Sequence, residues 1–208
     1  MRFLDELRYT TDMVAETAFH SEEQFDQEEF RRWLDCRPRS DINHYELING
    51  RIVMTPPAGW PHGGIETRIS AALDSHVRAQ KLGLVLGSSA GYDLPSGDTI
   101  EPDVSFISAA RFAAGPKPVD GQFLKIVPTL VVEILSRSTA RRDRTEKKAV
   151  YASNGVDEYW IVDAGRKEII AFHRSARGFG AGTTYSKGRL TSKVLPGLNL
   201  HVKDVFEL

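Results

Sequence analysis

Apolar residues recur every four positions at Ile65, Ile69, Leu73 and Val77. That spacing predicts an α-helix over Ile65–Gln80, closed by Leu82-Gly83. Elsewhere the pattern shortens to β-type runs. His44–Ile48 and Arg51–Met54 flank Asn49-Gly50, and a type I′ turn needs positive φ at both central positions, so the pair predicts a hairpin. Leu84–Leu86, Tyr92–Leu94 with its turn Pro95–Asp98, and Thr99–Ile107 read as further strands. Pro102 belongs at a strand start or edge, because it has no N–H to donate to a ladder. Residues 108–122, with Gly115, Pro116, Pro118 and Gly121, read as a loop. Leu130–Leu135 is the central strand, followed by a helix from Thr139 to Ser153 with Asn154-Gly155 as its left-handed cap. Glu158–Asp163 is the next strand, with Glu158 and Asp163 as solvent-facing ends, and it turns at Ala164–Lys167 into Glu168–His173. After a glycine-rich connection, Gly178–Gly182, a second hairpin joins Thr183–Ser186 to Arg189–Val194. A last strand or short helix ends at Phe206.

Towards the N-terminus, Ser21–Gln24 reads as a capping box opening a helix whose apolar face is Phe30, Trp33 and Leu34. Residues 1–21 read as an extension, with Phe3, Leu4 and Leu7, and then Met13 and Val14, as short apolar faces. Residues 22–208 form the main domain. Helices and strands alternate in the middle while hairpins dominate the ends. This predicts an α+β fold: a central mixed β-sheet flanked by helices, with extra N-terminal and C-terminal hairpins.

Composition narrows the classes. A chain of 208 residues with net charge −1 can bury a real core but has no global basic field. A nucleic-acid partner would have to meet a local patch. The single cysteine, Cys36, excludes an internal disulfide framework and a cysteine zinc site. No run approaches the roughly 18 apolar residues of a membrane span, and the first twenty residues lack the apolar core of a signal peptide. The expectation is a cytoplasmic protein with no membrane partner.

One residue breaks the apolar pattern at its strongest point. Glu133 lies inside LVVEIL, and a carboxylate in a buried strand is costly unless a metal, a cation or a proton compensates it. Glu101-Pro102-Asp103 leads into another apolar strand. Asp143, Lys147 and Tyr151 share one helical face at i, i+4 and i+8. Glu46 lies in the first hairpin and His62 before the long helix. Two carboxylates on adjacent strands make a hard oxygen site suited to Mg²⁺ or Mn²⁺. A lysine over such a site can orient water or stabilise charge on phosphate. Plainer readings stand beside these. Asp103 is also a common turn residue, Glu133 can be paired with Lys147 or Arg144, and Lys147 within RRDRTEKK can lie on a solvated face.

In order and spacing, YELINGRIV, GWPHGGI, SSAGYDLPSG, EPDVSFIS, LVVEILSRST, DRTEKKAVY, GVDEYWIVD and LPGLNLHVKDVF resemble the Uma-two family of endonucleases. That family belongs to the PD-(D/E)XK, restriction-endonuclease-like superfamily, and the resemblance covers roughly residues 22 to 208. It implies a restriction-endonuclease-like fold and Mg²⁺-dependent hydrolysis of DNA, with Mn²⁺ able to substitute. It implies Asp103, Glu133 and Lys147 as catalytic residues, with the metal held by Asp103, Glu133 and the Ile134 carbonyl. Glu46 is a further candidate ligand of the metal or its water, and His62 and Tyr151 are supporting residues. The superfamily's lysine stands two residues after the second acid, where this chain has Leu135. The resemblance therefore implies displacement onto the following helix, at Lys147 or its neighbour Lys148. Arg141, Arg144 and Lys148 are candidate DNA contacts. A homodimer, as restriction-like nucleases use to cut two strands, and no organic cofactor complete the expectation. The competing readings are a non-catalytic nucleic-acid-binding or assembly protein on the same fold, and a hydrolase of another phosphate ester.

Overall fold

Positive φ at Asn49 and Gly50, 51° and 74°, closes the first hairpin as Asn-Gly chemistry requires. The computed structural model describes residues 19–207. Phe3, Leu4, Leu7, Met13 and Val14 lie outside the described residues. The chain order is β1 (Phe19–His20), α1 (Gln27–Asp35), β2 (His44–Ile48), β3 (Arg51–Thr55), α2 (His62–Gln80), β4 (Gly83–Gly87), β5 (Tyr92–Asp93), β6 (Thr99–Ile100), β7 (Val104–Ser108), α3 (Ala109–Ala114) and β8 (Leu130–Ile134). A helical crossover follows as α4 (Ala140–Arg142), a π-helical turn (Asp143–Lys147) and α5 (Lys148–Ser153). The rest is β9 (Glu158–Asp163), β10 (Glu168–Ser175), β11 (Gly178–Phe179), β12 (Thr183–Tyr185), β13 (Arg189–Leu190), β14 (Leu200–His201) and α6 (Val202–Phe206).

The described residues form an antiparallel sheet in the order β1-β3-β2-β6-β5. A larger mixed sheet runs β11-β10-β9-β8-β7-β4, with β12 also on β10 and β8–β9 paired in parallel. A parallel pair needs a long crossover, and the helical segment 140–153 supplies it. Ile65, Ile69, Leu73 and Val77 of α2 pack on one face of the larger sheet with Val132, Ile134 and Trp160. Val150 and Tyr151 pack on the other with Val131, Tyr159 and Ile161. Side chains alternate along a strand, so Glu133 shares the face of Val131, under the crossover helix. The break at Glu101–Asp103 carries the chain from the small sheet into the large one, and Pro102 stands just before β7.

Several expectations are corrected. The capping box of α1 is Asp26 with Glu29, while Ser21 bonds the backbone of Ile52. Helix α2 starts at His62 and ends on Lys81, at a φ of 55°, and Gly83 is already in a strand. Residues 109–114, AARFAA, form α3 because Ser108 caps the Arg111 N–H and alanines are strong helix formers. The second C-terminal hairpin is not formed. β12 adds to the long edge of β10, and β13 pairs β14. Gly178 and Phe179 pair back on β10 rather than forming a bare connection. Glu158 is fully buried, accepting the Trp160 indole N–H at 2.6 Å and the Lys193 N–H at 2.8 Å. Asp163 is half-buried and accepts from Arg144 at 2.8 Å.

Candidate active site

Pairing of Val104 with Val132 puts Asp103, just before β7, beside Glu133 on β8. Asp103 Oδ2 accepts the Ile134 N–H at 2.7 Å and faces His62 Nε2 at 3.2 Å. His62 opens α2, a helix with no side-chain cap and no acid in its first turn, so its positive dipole end is left open. Glu133 Oε1 accepts from the Tyr151 hydroxyl and lies 2.5 Å from Lys147 Nζ. Lys147 Nζ is also 2.8 Å from Glu46 Oε1, which accepts the Glu101 N–H at 2.9 Å. Arg142 donates to Thr55 Oγ1 at 2.8 Å and stands 4.0 Å from Glu46 Oε2.

The site is graded in depth. Glu46, Glu133, Arg142, Asp143, Lys147 and Tyr151 are buried, whereas the side chains of Asp103 and His62 keep 18% and 14% of their exposure. The open end therefore lies at Asp103 and His62. The π-turn sets this arrangement. It places Arg142 and Lys147 one π-helical repeat apart, both near Glu46.

Burial pushes the Glu133 carboxyl well above its ordinary range. Lys147 offsets this only in part, and Asp143, Asp103 and Glu46 add to it. Burial also raises Asp143 to about 6, against the pull of Lys147. Burial opposes the charge on Lys147, yet Glu133, Glu46 and Asp143 together outweigh it and hold the lysine as an ammonium. For His62 burial is likewise outweighed, by Asp103, Glu66 and the Ile134 carbonyl, and its pKa rises. Tyr151 stays a neutral phenol, pushed up by burial and then by Glu133.

Four carboxylates thus crowd two buried cations, a setting that favours a further cation. Among the described residues, no hydrogen bond reaches Asp103 Oδ1 or Glu133 Oε2. Nor do three His, Cys, Asp or Glu side chains gather as a metal cluster among them. The available donors are two carboxylate oxygens and the Ile134 carbonyl. That sparse oxygen set fits Mg²⁺, which keeps several of its waters.

The structure brings Asp103, Glu133, Ile134, Lys147, Glu46, His62 and Tyr151 together. It engages Arg144 with Asp163 and sets Lys148 3.9 Å over the Phe172 ring, while Arg141 is exposed. Arg142 was hidden in the basic run. It is buried, and its Nε and Nη1 have no hydrogen-bond partner among the described residues. Nothing in the local pattern separates it from its solvated neighbours, because Thr55 lies 87 residues away and Glu46 farther still.

A mixed sheet with acids on neighbouring strands, one helix on each face and a lysine over the second acid defines the restriction-endonuclease-like class. Within that class the chain belongs to the Uma2 family, whose model, described as "Putative restriction endonuclease", matches residues 27–203. A solved structure from Anabaena variabilis ATCC 29413, described as "a putative nuclease belonging to DUF820", has the same fold. Its TM-score is 0.71 at 17% identity, covering 88% of this chain and 97% of that one. No curated protein matches the chain.

Proposed function

We propose that the chain is a metal-dependent DNA endonuclease whose site is Asp103, Glu133 and Lys147. The observation that carries this reading is Lys147, brought from the following helix to within 2.5 Å of Glu133 in a pocket with excess acid. Asp103, Glu133 and the Ile134 carbonyl would hold Mg²⁺, or Mn²⁺ in its place. When bound, such an ion lowers the pKa of its water and neutralises charge on the scissile phosphate.

The protein's own residues do the rest. Lys147, held as an ammonium, cannot act as a general base; it donates to the attacking water or to a phosphate oxygen. Glu46 positions it, since one Glu46 oxygen is shared between Lys147 and the Glu101 N–H. Tyr151 orients the Glu133 carboxylate from below. His62, held by Asp103 at the open end of α2, receives the phosphate. Arg141, exposed on the crossover helix, is available for backbone contact. Arg144 and Lys148 contribute only by leaving their present partners. Cutting both strands would call for a homodimer, which sedimentation at micromolar concentration reads directly.

The test is plasmid nicking. The wild type should nick in Mg²⁺ and stop in a chelator, and Asp103→Ala, Glu133→Ala and Lys147→Ala should each lose at least about a hundredfold in rate. Nicking that persists in all three purified variants overturns the assignment and leaves the non-catalytic reading.

A further inference from the structure

Trp60 is 81% exposed, the highest value among the large apolar residues described. The other two tryptophans are engaged: Trp160 is fully buried, and Trp33 packs edge-on against Tyr45 at 4.9 Å.

The place of Trp60 is fixed by what holds its loop. Residues 56–61 join β3 to α2. At one end Thr55 Oγ1 accepts from Arg142 at 2.8 Å, and at the other His62 faces Asp103 at 3.2 Å. Both anchors are residues of the candidate site. Trp60 is two positions from His62, a chain reach of at most about 7 Å. Pro56, Pro57, Ala58 and Gly59 beside it are exposed, and a Cβ built at Gly59 or Gly63 meets nothing within 4 Å. The indole is therefore exposed on a loop whose two ends are held by residues of the candidate site.

An aromatic face beside a phosphodiester site is suited to a nucleobase, since every base has a π-face and stacking tolerates any sequence. A base inside an intact duplex already has both faces covered by its neighbours. It becomes available to an indole only when unpaired or extruded. We propose that Trp60 is a stacking platform for an unpaired base, and that the DNA taken by this site is single-stranded where it is cut. The proposal rests on the nuclease reading for its location. It names a contact that neither the metal donors nor Lys147 supply.

The full-length chain in a chelator, which holds cleavage off, is titrated with fluorescein-labelled oligothymidylate and with a duplex of equal length. Anisotropy reads the binding. Trp60→Ala should weaken single-strand binding about tenfold, the size of one base–aromatic stack, with a much smaller change on the duplex. Trp60→Phe should keep most of the affinity. Acrylamide quenching of the wild-type tryptophan emission should fall when the oligonucleotide is added. Unchanged single-strand affinity in Trp60→Ala, equal loss on single strand and duplex, or no single-strand binding by the wild type each overturns the proposal. So does a change confined to self-association, which would assign Trp60 to a second copy of the chain. Failure of the wild type to cut in Mg²⁺ would remove the nuclease reading, and the binding comparison would still decide the role of Trp60.

Discussion

Lys147 lies almost wholly out of water with its ammonium between two carboxylates. Removing one partner of a buried charge group leaves the others uncompensated, at about 3–5 kcal/mol. Lys147→Met should therefore cost about 3 kcal/mol at neutral pH in urea unfolding, as well as activity. The loss should shrink as pH falls, because a protonated Glu133 needs no counter-charge. Asp41 offers a pH test away from the site. Burial opposes its charge, but Arg37, Tyr45 and Asn43 outweigh this and hold the carboxyl at about 2, against an ordinary 3.8. A depressed carboxyl stabilises the fold above its unfolded pKa. The contribution, about 2 kcal/mol, is present above roughly pH 4 and lost as pH falls towards 2. Asp41→Asn should be less stable by about that amount at pH 7, and the two proteins should converge near pH 2. At this scale the acids of the site were legible, since a charge inside LVVEIL contradicts its surroundings. Arg142 and Glu158 were not. They stand in polar or strand-end contexts, and their compensation comes from Thr55, Glu46, Lys193 and Val194, far along the chain.

The crossover helix shows what an element adds. The i, i+4, i+8 spacing placed Asp143, Lys147 and Tyr151 on one face, and all three are buried. The π-turn between Asp143 and Lys147 was not legible, because it carries one extra residue per turn and leaves no composition signal. It brings Arg142 in with Lys147. Deleting Thr145, which is exposed within that turn, should return the segment to α-geometry and swing either Arg142 or Lys147 out of the site. The expected result is loss of nicking with circular dichroism unchanged; full activity would show that the π-turn is dispensable. The strand β12 illustrates a different gap. Its short polar sequence fits any open edge, and β10, eight residues long, offers a longer one than the two-residue β13. Helix α3 was masked by the glycines and prolines that follow it, although Ser108 and the alanines carried the helix signal.

Across the whole molecule, the site is where two sheets meet. Glu46 comes from the small sheet, Glu133 from the large one, and Asp103 from Glu101–Asp103, the chain that passes between them. The alternation of helices and strands made the mixed, helix-flanked sheet legible. The partition into two sheets was not, because Thr99–Ile107 reads as one extended run until its strands pair with different partners. The two-sheet arrangement lets Lys147 bridge Glu46 and Glu133 and leaves Asp103 Oδ1 and Glu133 Oε2 without a hydrogen bond among the described residues, for the ion proposed above. Crystals soaked in Mn²⁺ and measured at the manganese edge test that claim most directly. The account predicts an anomalous peak between Asp103 and Glu133, within bonding distance of the Ile134 carbonyl and absent in Glu133→Gln. A soaked wild-type crystal with no peak there, or a peak that survives in Glu133→Gln, would contradict it.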